Sequence, residues 1–316
     1  MILPAGLFPA LPVFNTKESE HAMTGEKGFW NRLRLRLLFT GPTLFAFLTV
    51  MIIPFVYGIY LTFTSWDGIS VGHTLVGFRN YGSVFADSEF WSSFGLTLKY
   101  VLFTVVLTNV LAFMLAYALT KRVKGQNVFR AGFFMPNLVG GIVLGFIWQF
   151  IFNNVLVYLG QKASIGIFSA SWLAEPGKAF WTLVIVTVWQ YAGYMMVIYV
   201  AGLTGVPADI QEAASIDGAN SWQKLTRMTI PMMVPSFIVC LFLSLQRGFM
   251  VYDLNLTLTK GGPFGSTQLV SMHVYQKAFL SRDYGVGQAE AFVLFLLVAV
   301  ITLLQVYFSK KMEVEA

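Results

Sequence analysis

A short polar segment between two long apolar runs carries the clearest chemical arrangement in this sequence. Pro207 suits the first turn of a helix, and Asp209 and Glu212 then lie near the positive end of the helix dipole. Gly218 suits the left-handed residue that ends a helix. The pattern predicts a helix from about Pro207 to about residue 217. The residues that we expect to form a docking surface are Glu212, Ala213, Ala214, Asp217, Gly218 and Ala219.

The composition of this helix favours docking to a protein over lying on lipid headgroups. Ile210, Ala213 and Ala214 stand at i, i+3 and i+4 and are predicted to form one small apolar stripe. An interfacial helix usually carries Lys or Arg on its polar face and bulky residues on the other. Here the polar face is acidic and the apolar face is small, although an ordinary interfacial helix stays the alternative. Ser221 is expected to cap a second helical segment, which Pro231 stops or kinks.

A second set of candidates consists of polar and aromatic residues inside the apolar runs, where each is costly unless it serves packing or a solute pathway. These residues are Asn109, Trp189, Gln190, Tyr191, Tyr194, Gln246 and Arg247. The flat face of Trp189 suits the C–H face of a sugar ring, but helix packing explains it equally well. Asn109 is expected to bond either a solute hydroxyl or a neighbouring helix. Arg247 either extends to the outer interface or lines a vestibule.

The sequence offers no phosphate loop and few groups suited to catalysis. The pattern G-x-x-x-x-G-K-[ST] is absent, because Gly177-Lys178 is followed by Ala179. Asp253 and Glu290 fall at the ends of apolar runs and the three His lie outside them, so neither a proton relay nor a metal site is predicted. We therefore expect a chain that is not an enzyme, binds no metal or cofactor, and takes its energy from another polypeptide.

The elements that position these residues are membrane-spanning helices. Hydrophobic residues make up 56% and charged residues 11% of the 316 residues, whereas a soluble domain has roughly 25% charged residues. A bilayer core about 30 Å thick needs roughly 20 apolar helical residues per crossing. Because unpaired backbone groups are costly in lipid, we expect an all-α polytopic membrane protein, and no barrel-like alternation is present. Six spans are predicted, at residues 37–63, 96–119, 133–152, 180–202, 232–252 and 289–308.

The 21 Lys and Arg residues predict the orientation, since cytoplasmic flanks of spans are enriched in them. Most fall on one side if both termini are cytoplasmic. This places tails at residues 1–36 and 310–316, with Met23 as an alternative start, around a membrane domain at 37–309 whose loop at about 203–231 is cytoplasmic. The formal charge of +6 therefore reflects topology, and we expect contact with membrane lipid and none with nucleic acid. Cys240, the single cysteine, excludes an internal disulfide.

Two motifs resemble those of a known family. The segment from Glu212 to Ile230-Pro231 resembles the Glu-Ala-Ala signature of permease subunits in binding-protein-dependent ABC importers. Leu-Thr-Lys-Gly-Gly-Pro at residues 258–263 is similar to an element of sugar-importing permeases, although a tight turn also explains it. The resemblance covers roughly residues 35 to 310 and implies the type I ABC importer permease (MetI-like) fold with six transmembrane helices.

The resemblance also implies a function and partners. The chain would be the permease subunit of an ATP-driven importer that moves a sugar, such as an oligosaccharide, across a bacterial or archaeal cytoplasmic membrane. Its partners would be a second homologous permease, an extracytoplasmic solute-binding protein, and a cytoplasmic ABC ATPase dimer that holds ATP and Mg and receives the segment around Glu212. An ion-coupled secondary transporter of a polar solute is the alternative.

Overall fold

The computed structural model describes residues 29–70, 72–121 and 124–311, and these are mainly helical. Within this part of the chain, β structure is limited to an isolated bridge between Thr64 and Leu75, which confirms the all-α class. The chain divides into two compact units, Met1–Tyr57 and Gly58–Ala316. Most of the predicted amino-terminal tail, with the alternative start Met23, lies outside the described residues, as do residues 312–316 of the predicted carboxyl-terminal tail.

A long apolar helical segment makes up the described part of the first unit, and its last residues, from Gly58 to Leu61, are counted with the second. Helix α1 (Phe29–Phe47) continues through a π-helical turn (Leu48–Ile52) into α2 (Ile53–Leu61). The stretch Arg36–Leu61 is long and apolar enough to cross a membrane, which confirms the first predicted span. Its apolar side chains, for example Phe39, are exposed, as expected for a helix that contacts lipid or another protein.

The second unit contains the remaining described helices. They are α3 (Arg79–Ala86), α4 (Ser88–Thr120), α5 (Gln126–Phe134), α6 (Gly141–Phe150), α7 (Leu156–Lys162), α8 (Pro176–Gly205), α9 (Ala208–Ile216), α10 (Ser221–Lys224), α11 (Ile230–Met232), α12 (Val234–Phe249), α13 (Asp253–Leu258), α14 (Val270–Tyr275) and α15 (Tyr284–Lys310). In the described residues of both units together, five helices are long and apolar enough to cross a membrane, or six if one bent pair counts as a span.

Two predicted spans were wrong in detail, because hydropathy does not reveal breaks in the backbone. The range 133–152 joined the end of α5 to the start of α6, but a 3₁₀ turn containing Pro136 separates them, and the long helix runs over Gly141–Lys162. The range 232–252 belongs to the bent pair, whose parts Ser221–Met232 and Val234–Phe249 meet at 68°. Proline removes a backbone donor and interrupts the helix at both places.

The core of the second unit forms where α4, α8 and α12 pack together. Helices α4 and α8 run in the same direction, since Tyr100 pairs with Thr187 at 2.6 Å and Asn109 with Tyr199 at 2.7 Å between side-chain atoms. Helix α12 runs the opposite way, because Ser244 bonds Asn109 while Gly248 lies against Val101. The starts of α4 and α8 therefore lie on one side of the unit, and their ends, with α9, lie on the other.

Two glycines let α6 lie directly against α13. A Cβ atom on Gly141 would lie 2.9 Å from the Cβ of Asp253, and one on Gly145 would overlap the Thr257 side chain. This pair has the G-x-x-x-G spacing of close helix crossings. Both helices of this crossing, α6 and α13, belong to the same chain.

We expect Gly145→Ala to destabilise the protein, because its Cβ meets Thr257 and the Leu258 backbone nitrogen. Overpacking of this kind costs about 1–3 kcal/mol. The matched control is Gly132→Ala in α5, where an added Cβ meets nothing within 4 Å. Thermal unfolding of the purified chain in detergent measures both, and equal midpoints for the two variants would contradict the proposed close contact.

Candidate functional site

The predicted docking helix is present as α9, Ala208–Ile216, which agrees with the prediction to within one residue at each end. Pro207 precedes it, and Asp209 lies in its first turn. Ala214 is only 1% exposed. Glu212 and Asp217 are exposed, so both carboxylates are available to a partner.

The end of α9 is a left-handed cap, as predicted for Gly218. Gly218 has φ +79°, and an added Cβ would meet nothing within 4 Å. The backbone N–H of Ala219 donates to the carbonyl of Ala214 at 2.9 Å, the bond that characterises a Schellman motif. The Lys224 ammonium donates to the Ser215 hydroxyl at 2.6 Å and thereby connects α9 to α10.

Helix α10 is capped by a residue other than the predicted one. The Asn220 side chain accepts from the backbone N–H of Gln223, and the Gln223 side chain accepts from the backbone N–H of Asn220, each at 2.9 Å. Ser221 is instead the first helical residue. The prediction considered Ser221 alone. Asn220 caps the helix because Gln223, three residues later, completes a capping box with it.

The predicted apolar stripe of α9 is divided, since Ile210 and Ala213 are exposed whereas Ala214 is buried. Ile210 is 37% exposed, Ala213 is exposed, and Ile216 is 86% exposed. We call the exposed residues Ile210, Glu212, Ala213, Ile216 and Asp217 the α9 surface. On its other side, Gln211 borders a cavity of about 420 Å³. The helix thus combines apolar and acidic groups on one accessible surface and rests on the body through few side chains.

Among the pathway candidates, Asn109 is committed to packing. It is buried, its amide donates to the Val105 carbonyl at 2.8 Å and to the Ser244 hydroxyl at 3.0 Å, and its oxygen accepts from Tyr199. Gln190 is also buried and donates to the Val139 carbonyl at 3.1 Å. These bonds favour the helix-packing interpretation over solute contact.

Arg247 lies against two of the predicted aromatic residues. Its guanidinium carbon is 4.5 Å from the ring centre of Tyr191 and 4.9 Å from that of Tyr194. Its Nη1 donates to the Asn137 side chain at 3.0 Å. Two rings and an amide hold the guanidinium among α8, α12 and the turn before α6. These contacts favour the vestibule alternative for Arg247 over extension to the outer interface. We call these four residues the arginine patch.

The two remaining pathway candidates lie elsewhere. Trp189 is 43% exposed, contacts Trp148 edge to face, and borders an apolar cavity of about 530 Å³. Gln246 borders a different cavity of about 540 Å³, between α12 and α15. In the described part of the chain, Gln246 bonds Met250 and Trp189 contacts Trp148, and neither side chain has a hydrogen bond or ring contact with the arginine patch. From the predicted set, such contacts join only Tyr191, Tyr194 and Arg247.

The Gly-Gly-Pro element after α13 forms a tight turn that is fixed to its surroundings. Lys260 and Gly261 have positive φ values of 55° and 77°. The Thr267 hydroxyl donates to the Gly262 carbonyl at 2.7 Å, and Asn255 donates to the Thr267 carbonyl at 2.8 Å. The turn interpretation accounts for these residues.

A cluster of ionisable residues was missed by the sequence analysis. Glu290 was placed at a span end, but it lies inside α15 and is fully buried. Its Oε1 is 3.4 Å from Nε2 of His273, which in turn is 3.9 Å from Oδ2 of Asp87. The Lys277 ammonium contacts the same Asp87 oxygen at 2.9 Å. Asp87 lies more than 180 residues before His273, so no local spacing could have indicated the cluster.

The Asp87–Lys277 contact shifts the pKa of both side chains. Burial disfavours the charged carboxylate, but the hydrogen bond from Lys277 and those from the Phe90 and Glu89 backbone outweigh it, so the pKa of Asp87 is lowered. The same hydrogen bond from the ammonium raises the pKa of Lys277. Both groups are therefore charged near neutral pH.

Residues 108–314 match the family described as "binding-protein-dependent transport system inner membrane component". The "probable starch degradation products transport system permease protein" of Thermoanaerobacterium thermosulfurigenes is 43% identical over 278 residues, which cover 88% of this chain and 94% of that protein. The "multiple sugar-binding transport system permease protein" of Streptococcus mutans is 33% identical over 261 residues, which cover 83% and 90%.

The fold is also similar to a solved structure. A bacterial ABC transporter involved in the import of the acidic polysaccharide alginate matches with a TM-score of 0.75 and 19% identity, over 89% of this chain and 98% of that chain. At this identity the match concerns the fold, and it confirms the expected type I importer permease fold.

We expect Asn109→Leu to destabilise the protein by about 1–3 kcal/mol, because the buried Tyr199 hydroxyl loses its acceptor. Tyr199→Phe in the same background should recover part of the loss, since it removes the unpartnered group. Asn154→Leu is the control, because Asn154 is exposed. Thermal unfolding in detergent tests this, and an equal effect at both asparagines would show that Asn109 is not a packing residue.

Proposed function

The chain belongs to the family of binding-protein-dependent transport system inner membrane components, and from this we propose that it is the permease subunit of an ATP-driven sugar importer. The similarity to permeases named for starch degradation products and for multiple sugars supports a carbohydrate cargo, with an oligosaccharide as our specific proposal. The chain would act with a second homologous permease and receive the sugar from an extracytoplasmic binding protein.

The observation that carries the energy-coupling part of the proposal is the α9 surface. Helix α9 and its cap bury Ala214 and expose three carboxylates, those of Asp209, Glu212 and Asp217, together with the side chains of Ile210 and Ile216. A rigid helix with a small, accessible side lets a partner approach closely, and its acidic groups suit a partner with basic residues at the rim. The pattern of Lys and Arg supports a cytoplasmic position. We therefore assign this surface to an ATPase dimer that holds ATP and Mg.

The connections of α9 suggest how the ATPase acts on the spans. The end of α8 at Gly205 directly precedes α9, and α10 to α12 follow it through the bend of 68°. A displacement of α9 by closure of the ATPase pair would be transmitted to α8 and α12. Because these two helices carry the arginine patch, the movement would change access to it from either side of the membrane.

The arginine patch is our proposal for sugar contact. A guanidinium inside a membrane domain is costly unless it faces protein or a water-filled path. Here its remaining N–H groups can donate to hydroxyl oxygens, while the adjacent tyrosine rings suit the C–H faces of a sugar. Asn137 holds the guanidinium in place from the turn before α6. The path itself would be completed by the second permease.

We expect Glu212→Lys to abolish coupling, because it reverses charge at the exposed edge of α9. Sugar uptake and sugar-stimulated ATP hydrolysis should fall at least about tenfold, as for an interface residue worth roughly 2 kcal/mol. The subunit should still insert and assemble, as judged by its amount in membranes. Glu89→Lys is the control, since this exposed carboxylate lies at the start of α4, on the opposite side from α9.

Gly218 offers a test of the backbone cap. Gly218→Val should also lose uptake because its φ of +79° is unfavourable for a β-branched residue, whereas Gly218→Asn should keep most of it, since Asn tolerates this conformation. Normal uptake by Glu212→Lys and Gly218→Val would contradict the docking assignment. Uptake into liposomes driven by a proton or sodium gradient without any ATPase would instead support the secondary carrier.

We expect a cysteine in the arginine patch to be protected by sugar. Cys240 is buried, so Tyr194→Cys in the Cys240→Ala background can be labelled selectively with a small thiol reagent in the assembled transporter. Saturating sugar should slow labelling of Tyr194→Cys at least about threefold and leave Trp189→Cys unchanged, because Trp189 lies outside the patch. Equal rates with and without sugar at residue 194 would remove the patch from the pathway.

A further inference from the structure

The buried carboxyl group of Glu290 receives no hydrogen bond from the groups around it. The residue is fully buried, and neither of its oxygens has a hydrogen-bond partner. Nε2 of His273, a residue 4% exposed, also lacks a hydrogen bond. Burying an ionised carboxylate without a partner is very costly. Two unsatisfied groups that face each other therefore point to a positively charged ligand between them.

The arrangement of donor atoms fits a small cation. One ligand atom each from Asp87, His273 and Glu290 can be chosen so that all lie within 4.8 Å of one another. Tetrahedral Zn²⁺, with bonds of about 2.0–2.1 Å, holds its ligand atoms roughly 3.3 Å apart. The His273–Glu290 separation of 3.4 Å is close to that value, and the His273–Asp87 separation of 3.9 Å needs a small contraction. An imidazole with two carboxylates suits zinc better than Ca²⁺ or Mg²⁺, which prefer oxygen ligands alone.

The charges of the cluster are compatible with a divalent ion if Lys277 moves. Two carboxylates and one ammonium leave a net negative charge when the imidazole is neutral. The Lys277 side chain is 30% exposed and belongs to the π-helical turn that follows α14. It can therefore extend into solvent when another cation takes its place at Asp87. Two carboxylates then balance a divalent ion.

We propose that Asp87, His273 and Glu290 form a Zn²⁺ site whose occupation displaces the Lys277 ammonium from Asp87. The three ligands come from separate elements, namely the cap of α4, helix α14 and helix α15. The ion ties these elements together on the side of the unit opposite α9. The site is structural, and it does not depend on the identity of the cargo or on the docking of an ATPase.

The test is Zn²⁺ binding by the full-length chain, purified in detergent, treated with a chelator and titrated calorimetrically, with elemental analysis for stoichiometry. Wild type should hold one Zn²⁺ per chain. His273→Ala and Glu290→Gln should weaken binding by about 10–100-fold or more. Lys277→Met should tighten it by about tenfold, because it removes a competing charge. His73→Ala is the control, since its partly exposed imidazole pairs with Tyr60 outside the cluster.

If the ligand variants fold poorly, Lys277→Met still tests the proposal, because the proposal expects this variant to bind Zn²⁺ more tightly. Tetrahedral absorption bands with Co²⁺ that appear in wild type and Lys277→Met, and not in Glu290→Gln, would support the site independently. If neither wild type nor Lys277→Met retains Zn²⁺, or if His273→Ala binds as tightly as wild type, the proposal is overturned. The cluster would then be a direct contact between the His273 imidazole and the Glu290 carboxyl group.

Discussion

The organisation of this protein depends on one constraint: a polar group within the membrane must find its partner inside the protein. Asn109 shows this most clearly, since its amide joins α4 to α8 and α12 through Tyr199 and Ser244. Gln190 bonds the backbone at Val139, next to the break that precedes α6. Such bonds are individually modest in transmembrane proteins, but their alternatives are unsatisfied groups, so they select one packing of the helices.

Close backbone approach is the second determinant of the packing. Hydrophobic association is weak between helices that are already in lipid, and small residues allow the contacts that replace it. Gly145 lies under Thr257, and a Cβ on Gly193 would overlap the Phe133 carbonyl. These contacts bring α6 against α13 and the end of α5 against α8. The breaks in the chain and the glycines therefore act together, because an interrupted helix is tolerated only where neighbouring backbone covers it.

The same constraint separates the functional surfaces. Arg247 is held by Tyr191, Tyr194 and Asn137, so its charge is placed at a point where α8, α12 and the turn before α6 meet. Helix α9, in contrast, has few partners in the chain and presents its side chains outward. The family's role as a membrane component of a transport system agrees with this division between an internal polar patch and an exposed helix at the end of the bundle. The ionisable cluster around Glu290 lies at the other end.

The sequence by itself determined the class of the protein, the approximate spans and the α9 helix, because hydropathy, helix propensity and cap chemistry act over short distances. It also indicated Gly218, whose left-handed conformation is a local property. Only the tertiary structure decided which polar residues join neighbouring helices, as Asn109 does. It also decided which form a separate group, as Arg247 does with Tyr191 and Tyr194. It also showed Glu290 beside His273 and Asp87. These outcomes depend on contacts between residues that are distant in the chain. The positions of those residues follow from helix crossings and backbone breaks, and no local pattern in a single sequence specifies either.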